Sequence, residues 1–204
     1  GHDGAGDGGR LLCRTCGHST VIMNQIWVRH GATELESGRV CGQIDPAPLL
    51  LPEECRHLES TLAGHFGAHF QQTVAFSSPL QRCTQLARRL GFSHARSDDR
   101  LKELSFGDWE GQRWDEVPRE QLVDWAGDYL IRRPPGGESL QDLQKRLQLF
   151  LDEIPADAVV IFTHGGVIRS LATLTGMSPE SAMAMPVPLT SAFLRSPGGL
   201  QRLA

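Results

Sequence analysis

The sequence predicts an α/β fold: a three-layer α/β/α sandwich with helices on both faces of a mostly parallel central sheet. Two observations lead to this prediction. Short apolar runs typical of buried strands alternate along the chain with amphipathic helical segments. Two of these strands also end alike, in a histidine followed by glycine. In parallel sheets of this kind, ligands bind beyond the carboxyl ends of the strands.

The first half of the pattern predicts two strands and two helices. Residues 25–28 form a short apolar strand that leads into a loop. Residues 52–70 are expected to be helical, and residues 73–76 form the second strand. Serines followed by Pro79, expected at the first helical position, predict the start of the next helix. Its apolar stripe is Leu80, Cys83, Ala87 and Leu90.

The second half predicts two more helices around a third buried strand. A helix begins after Gly137, where Ser139 and Asp142 have the spacing of a capping box. Residues 158–162 form the most strongly apolar strand, and an amphipathic helix follows it. Residues 190–203 are expected to form one or two closing strands. The apolar stripes of the two helices are Leu140, Leu143, Leu147, Phe150, Leu151 and Ile154, then Val167, Ile168, Leu171 and Leu174.

We expect residues 23–204 to form a single domain, with a small helical lid around residues 105–136. Residues 1–22 are glycine-rich and lack periodicity, so they are interpreted as a leader or an extension added upstream of Met23. Cys13-x-x-Cys16 and His18 resemble half of a zinc site, but no second pair of ligands matches them. An unstructured extension is the favoured interpretation of this segment.

Composition bounds the partners and the compartment. The formal net charge of −4 gives no overall attraction to nucleic acid or to an anionic membrane. Five cysteines, an odd number in a chain of this length, indicate a reducing, cytoplasmic setting. No apolar stretch is long enough for a membrane helix. We therefore expect a small-molecule partner, no nucleic acid and no membrane, and the sequence does not determine the oligomeric state.

Three predicted strand ends carry the residues of a candidate anion site. Arg29 and His30 follow the first strand, and His164 follows the strand at residues 158–162. Arg82 lies one turn into the helix after the second strand, near a helix N-terminus that itself favours anions. If these ends converge, two arginines and two histidines form a pocket suited to phosphate.

At this point the residues resemble a known family. Four motifs occur in order: Arg29-His30-Gly31, Ser78-Pro79-Leu80-x-Arg82, residues 101–111 around Glu103, and Thr163-His164-Gly165-Gly166. Together they are similar to the histidine phosphatase, or phosphoglycerate mutase-like, superfamily. The resemblance covers residues 24–175.

The resemblance implies a role for each matching residue. His30 would be the nucleophile that becomes phosphorylated, which suits a neutral imidazole near pH 7. Arg29, Arg82 and His164, with Gly165 beside it, would hold the phosphoryl oxygens. Glu103 would protonate the leaving oxygen and then activate water, with its pKa raised by burial beside Phe106 and Trp109. The alternative makes Glu103 a surface carboxylate paired to Lys102 or Arg100. This scheme requires no cofactor and no metal.

The loop after Gly31 departs from the family pattern. It lacks the asparagine that most members carry, so Ser37 is a candidate replacement and Arg39 a candidate substrate contact. Three of the four tryptophans (Trp109, Trp114 and Trp125) and the only tyrosine, Tyr129, lie between Glu103 and His164. They line a lid over the substrate or form the core of a helical subdomain, and both alternatives stay open.

Further motifs resemble α-ribazole phosphatases, which remove the 5′-phosphate of a cobalamin-precursor nucleotide. They are residues 40–48, residues 134–139 and residues 163–169. The span from Glu103 to His164 is only 61 positions, which disfavours the phosphoglycerate mutases with their long insertions. A broad-specificity phosphatase of sugar phosphates or phosphoproteins remains an alternative, as does a non-catalytic phosphate-binding module. The complete set of Arg29, His30, Arg82, Glu103 and His164 argues against the binding module.

Overall fold

A computed structural model describes residues 24–155 and 158–204. The predicted leader at residues 1–22 and its half zinc site therefore lie outside the described residues. Within the described part of the chain, no helix has both the length and the apolar character needed to cross a membrane.

The described residues form six strands and six α-helices. In chain order, they are β1 (Gln25–Arg29), α1 (Pro52–Phe66), β2 (Val74–Ser77), α2 (Gln81–Arg89), β3 (Arg96–Ser97), α3 (Arg119–Gly127), α4 (Leu140–Glu153), β4 (Val159–Thr163), α5 (Gly165–Leu174), α6 (Pro179–Ala184), β5 (Ala192–Ser196) and β6 (Gly199–Arg202).

The strands form one sheet in the order β3-β2-β4-β1-β5-β6. Strands β3, β2, β4 and β1 are parallel, and β5 and β6 join the β1 edge in antiparallel orientation. The predicted mostly parallel sheet is confirmed. Because β2, β4 and β1 are adjacent and parallel, their carboxyl ends lie at the same edge of the sheet. The polar motifs of the sequence follow these three strand ends.

Helices cover both faces of this sheet, as predicted. Residues that alternate along β1 point to opposite sides: Ile26 and Val28 into one core cluster, and Trp27 into the other. The first cluster packs α1 and α2 against the sheet, and the second packs α4 and α5. The three-layer α/β/α sandwich is thus confirmed.

Several predicted boundaries are wrong for local reasons. Helix α1 ends at Phe66 rather than at residue 70, because Gly67 takes a left-handed φ of 85° that breaks the helix. Pro79 is not the first helical residue, since α2 begins at Gln81. The Ser78 hydroxyl instead accepts from the Leu80 N–H at 3.4 Å, forming a short turn before the helix.

The predicted capping box at the start of α4 is confirmed. The Ser139 hydroxyl accepts from the Asp142 N–H at 3.2 Å, and the Asp142 carboxylate accepts from the Ser139 N–H at 2.9 Å. Two elements, the two-residue β3 and the six-residue α6, have no matching prediction. Both are too short to show a recognisable hydrophobic period.

The region of the predicted lid contains α3 and a 3₁₀ turn at Gly107–Trp109. Trp109 is buried there against Val40 and Val117 in a third apolar cluster, with Trp125 packed on it. Trp109 is therefore a core residue. Trp114, by contrast, lines the main cavity described below, so each alternative for the aromatic residues applies to part of the set.

Candidate active site

The polar motifs meet at the carboxyl edge of the parallel strands. Arg29, the last residue of β1, pairs in register with Thr163, the last residue of β4. The next residues are His30 and His164, so the two imidazoles become neighbours, with ring centroids 5.1 Å apart. The end of β2 lies beside them, since the Ser78 N–H donates to Phe162 O at 2.8 Å. The strand topology alone thus assembles the pocket.

His30 is held as a neutral imidazole with one nitrogen available. Only 8% of the residue is exposed, and its Nδ1 lies 2.7 Å from Gly31 O. A carbonyl oxygen only accepts, so Nδ1 carries the proton and Nε2 keeps its lone pair. Burial first, and then the charges of Arg82 and Arg29, lower the pKa of His30 to about 3. This imidazole is therefore neutral at physiological pH, and its Nε2 carries a free lone pair.

Arg82 is a buried guanidinium fixed by backbone carbonyls. Its Nη1 donates to Ile44 O and its Nη2 to Gly42 O, both at 2.7 Å. Its Nε lies 3.3 Å from Nδ1 of His164, and Asp45 is the nearest carboxylate at 3.9 Å. Two of the five N–H donors of the guanidinium are not used by these bonds. They are suited to oxygens of a bound phosphate.

His164 is completely buried, and both of its ring nitrogens have partners in the protein. Since Arg82 Nε donates to Nδ1, the proton lies on Nε2, which donates to the Ser78 hydroxyl at 2.8 Å. Burial, reinforced by His30 and Arg82, holds the pKa of His164 well below its usual value. The buried Cys83 thiol lies 3.5 Å from Nε2. His164 is thus neutral and orients Arg82 in this arrangement.

Arg29 lies on the other side of His30 and is partly buried. One of its Nη atoms donates to Val187 O. Its Nε is buried without a hydrogen-bond partner among the described residues. Burial lowers the pKa of Arg29, an effect that Glu103 opposes and Arg169 reinforces. The Arg29 side chain also lines the cavity described below, where its charge favours an anion.

Glu103 is positioned by the backbone of two elements. One carboxylate oxygen accepts from the Leu104 N–H at 2.9 Å and the other from the Gly166 N–H at 3.1 Å. Gly166 lies in the first turn of α5, where free N–H groups and the helix dipole favour a negative charge. The Glu103 carbonyl accepts from Gln43 and from Arg146, each at 2.9 Å. The carboxylate is thus held at the wall of the pocket.

The surface ion pair considered as an alternative for Glu103 is absent among the residues the structure covers. Lys102 pairs instead with Asp99 at 2.9 Å, and Arg100 pairs with Asp98 at 2.7 Å. These pairs leave Glu103 to its backbone donors, so the alternative is wrong. The expected neighbour Phe106 lines the same cavity as Glu103.

A cavity of about 630 Å³ opens over these side chains. Arg29, His30, Arg82 and Glu103 all line it. The loop residues Ser37 and Arg39 lie in its wall as well. Ser37 is exposed at the rim, and Arg39 is bound to Glu36 and to the Gly111 carbonyl. Gly165 lies behind the pocket, where an added Cβ would be 3.4 Å from the Arg29 guanidinium. His164 is buried next to the lining residue Arg82, to which it is hydrogen-bonded.

Several supporting residues escaped the sequence prediction. Glu110 accepts from the N–H groups of Gln43, Ile44 and Phe106 at 2.9 to 3.1 Å. It thereby connects the lid region to the loop at residues 42–44, whose carbonyls hold Arg82. Arg146, on α4 and outside its predicted apolar stripe, donates to the Glu103 carbonyl. No local pattern marks either role, because each depends on contacts between distant segments.

The comparisons with known proteins agree on one family. A model of the histidine phosphatase superfamily, branch 1, matches residues 26–195. A 2,3-bisphosphoglycerate-dependent phosphoglycerate mutase from Chelativorans sp. (strain BNC1) is 32% identical, over 79% of this chain and 86% of that protein. A glucosyl-3-phosphoglycerate phosphatase from Mycolicibacterium vanbaalenii is 31% identical, over 78% and 77%.

Solved structures share the fold. A phosphoglycerate mutase from Thermus thermophilus superposes with a TM-score of 0.71 at 32% identity, covering 89% of this chain and 99% of that one. A protein provisionally assigned as an alpha-ribazole-5′-P phosphatase from Escherichia coli superposes with a TM-score of 0.70 over 88% and 94%. At 23% identity, that second likeness concerns the fold alone.

Proposed function

The chain belongs to the histidine phosphatase superfamily, as its motifs predict, and on that premise we propose that it hydrolyses small phosphate monoesters through a phosphohistidine intermediate on His30. The observation that carries the proposal is the state of His30. Its Nδ1–H donates to Gly31 O, so Nε2 is unprotonated, and the side chain lines a pocket that also contains two guanidinium groups. A lone pair beside fixed cations is the arrangement that nucleophilic phosphoryl transfer needs.

In the first half-reaction, Nε2 of His30 forms the bond to phosphorus as the ester oxygen leaves. Glu103, in its protonated form, gives its proton to that oxygen, so the alcohol departs neutral. Arg29 and Arg82 stabilise the charge on the equatorial oxygens of the transferring group. His164 keeps Arg82 in place through the Nε to Nδ1 contact of 3.3 Å.

In the second half-reaction, water attacks the phosphohistidine. Glu103, now a carboxylate, takes a proton from that water, and Nε2 leaves phosphorus with its electron pair. Inorganic phosphate departs, and His30 and Glu103 return to their first states. Glu103 gives one proton to the leaving alcohol and regains one from the attacking water, so the proton balance closes and we propose that turnover needs no metal.

Hydrolysis is favoured here over phosphoglycerate mutation, although the relatives include a mutase and a phosphatase. The short span of 61 residues between Glu103 and His164 sets this chain apart from mutases with long insertions there, but not from the compact mutases that it matches over 86% and 99% of their length. Exposed residues such as Glu36 and Ser37 line the mouth of the cavity, which supports access of water to the intermediate.

The best single candidate substrate is α-ribazole 5′-phosphate, on the strength of the motifs at residues 40–48, 134–139 and 163–169. A place in cobalamin biosynthesis follows from that substrate. Cys41, Cys55 and Cys83 are free thiols, which supports the cytoplasmic setting. Sugar phosphates and phosphoproteins remain the alternative substrates.

A panel of phosphate esters that includes α-ribazole 5′-phosphate, assayed with EDTA present, tests the proposal. We expect turnover by the wild type and none by His30→Ala, and acid-labile radioactive phosphate trapped on the wild-type protein only. If the wild type binds phosphate but hydrolyses no ester, the chain is a phosphate-binding module and the proposal fails.

A further inference from the structure

A second cavity of about 140 Å³ adjoins the phosphate pocket. Glu103, Phe106 and Arg169 line both cavities. Gly166 and five largely apolar side chains provide the rest of the smaller one: Leu104, Trp125, Tyr129, Leu140 and Met183. We refer to it as the side cavity.

The position of Glu103 in the shared wall indicates which part of the substrate the side cavity would contact. In the proposed reaction, Glu103 protonates the oxygen of the leaving group, so that oxygen must lie at the Glu103 carboxylate. The carbon skeleton attached to the oxygen then extends away from the phosphate and past Glu103. The side cavity is the apolar space on that path.

We propose that the side cavity is a specificity site that receives a flat apolar ring carried by the leaving alcohol of the substrate. This inference rests on the proposed phosphatase function. The volume suits the occupant, because an apolar protein cavity of about 150 Å³ holds one benzene molecule. Hydrophilic alcohols such as glycerol have no hydrogen-bonding partner along most of this wall.

The indole of Trp125 forms one aromatic wall of the side cavity. The ring of Trp125 also packs against Tyr129, at a centroid distance of 6.3 Å, which keeps the two aromatic walls in place.

The test compares benzyl phosphate with glycerol 3-phosphate. Both are phosphate esters of primary alcohols, so their intrinsic reactivity is similar and the ratio of their kcat/KM values reports on the side cavity. Met183→Trp fills the cavity from α6, at a residue 39% exposed and thus tolerant of a larger side chain. We expect it to lower the benzyl-to-glycerol ratio about 10-fold or more. Leu174→Trp, at a residue 37% exposed and outside the lining, is the matched control that keeps the wild-type ratio.

Tyr129→Ala removes one wall and serves as the second variant if Met183→Trp does not fold. It should lower the same ratio. If both folded variants keep the wild-type ratio, the inference is overturned while the phosphatase function stands. If the wild type hydrolyses neither ester, or His30→Ala hydrolyses both, the proposed function has failed and the inference fails with it.

Discussion

Replacing Gly166 with alanine moves the Glu103 carboxylate without removing any catalytic group. Gly166 is the second residue of α5 and donates its N–H to Glu103. A Cβ built at this position would lie 2.2 Å from Oε1 and 3.2 Å from Cδ of Glu103, whereas ordinary contacts begin near 3.4 Å. The carboxylate must therefore shift, and misplacement of a reacting group by about 1 Å costs roughly 100-fold in rate.

The substitution should not harm the fold. Alanine has a better helix propensity than glycine by up to about 1 kcal/mol in a helix interior, and by less in a first turn. Gly64→Ala in α1 is the matched control, because a Cβ there has no neighbour within 4 Å among the described residues. Gly64→Ala should raise the Tm by roughly 2–4 °C and keep the wild-type kcat.

Rapid-mixing kinetics with p-nitrophenyl phosphate identifies the affected step. Nitrophenolate leaves without a proton, so Gly166→Ala should keep the burst that accompanies phosphorylation of His30. Steady-state turnover should fall about 100-fold, because the displaced carboxylate no longer activates water. A wild-type kcat in Gly166→Ala, or loss of the burst together with turnover, refutes the placement of Glu103 as the acid and base.

Three further results are expected. Arg146→Lys loses the hydrogen bond to the Glu103 carbonyl, so kcat should fall about 10-fold while KM stays unchanged. The free energy of unfolding from urea titration should fall by about 2 kcal/mol. A change in KM alone would contradict the positioning role. His30 has a folded pKa of about 3, below the unfolded value near 6.5, so the unfolded chain binds the proton first and the free energy of unfolding falls as pH drops from about 6.5 toward 3. Urea titrations between about pH 7 and 5 should show a slope up to about 1.4 kcal/mol per pH unit steeper than in His30→Ala, and equal slopes would disprove the depressed pKa. Ser139→Ala removes the cap of α4 and should cost about 1 kcal/mol in thermal melts, whereas an unchanged Tm would mean that the cap is dispensable.

The sequence was most informative where a single short segment determines the position of a site residue. The strand followed by His30 could be recognised locally, and the parallel order of the sheet then placed it beside His164. Arg82 was predictable for the same reason, since it lies at the start of a helix that follows a strand. In each case, a short pattern and a general rule of sheet topology suffice.

Contacts between distant segments were not predictable. Arg146 lies 43 residues from Glu103, and nothing in the pattern of α4 distinguishes it from a solvated charge. The carbonyls of Gly42 and Ile44 that hold Arg82 belong to a loop without periodicity. Trp109 shows the same limit, because composition alone does not decide whether an aromatic residue lines a cavity or fills a core.

The electrostatics of the pocket follow from burying two guanidinium groups beside two imidazoles. Arginine stays charged in proteins, so the buried charges of Arg29 and Arg82 act on whichever neighbours can titrate. The neighbours are His30 and His164, whose pKa values both fall, first because the imidazoles are buried and then because of these charges. The two imidazoles therefore stay neutral, and the two guanidinium groups match the charge of a phosphate monoester dianion. One arrangement thus creates both a local positive charge and a free imidazole nitrogen, so a chain with a net charge of −4 needs no wider basic surface to hold a phosphate in this pocket.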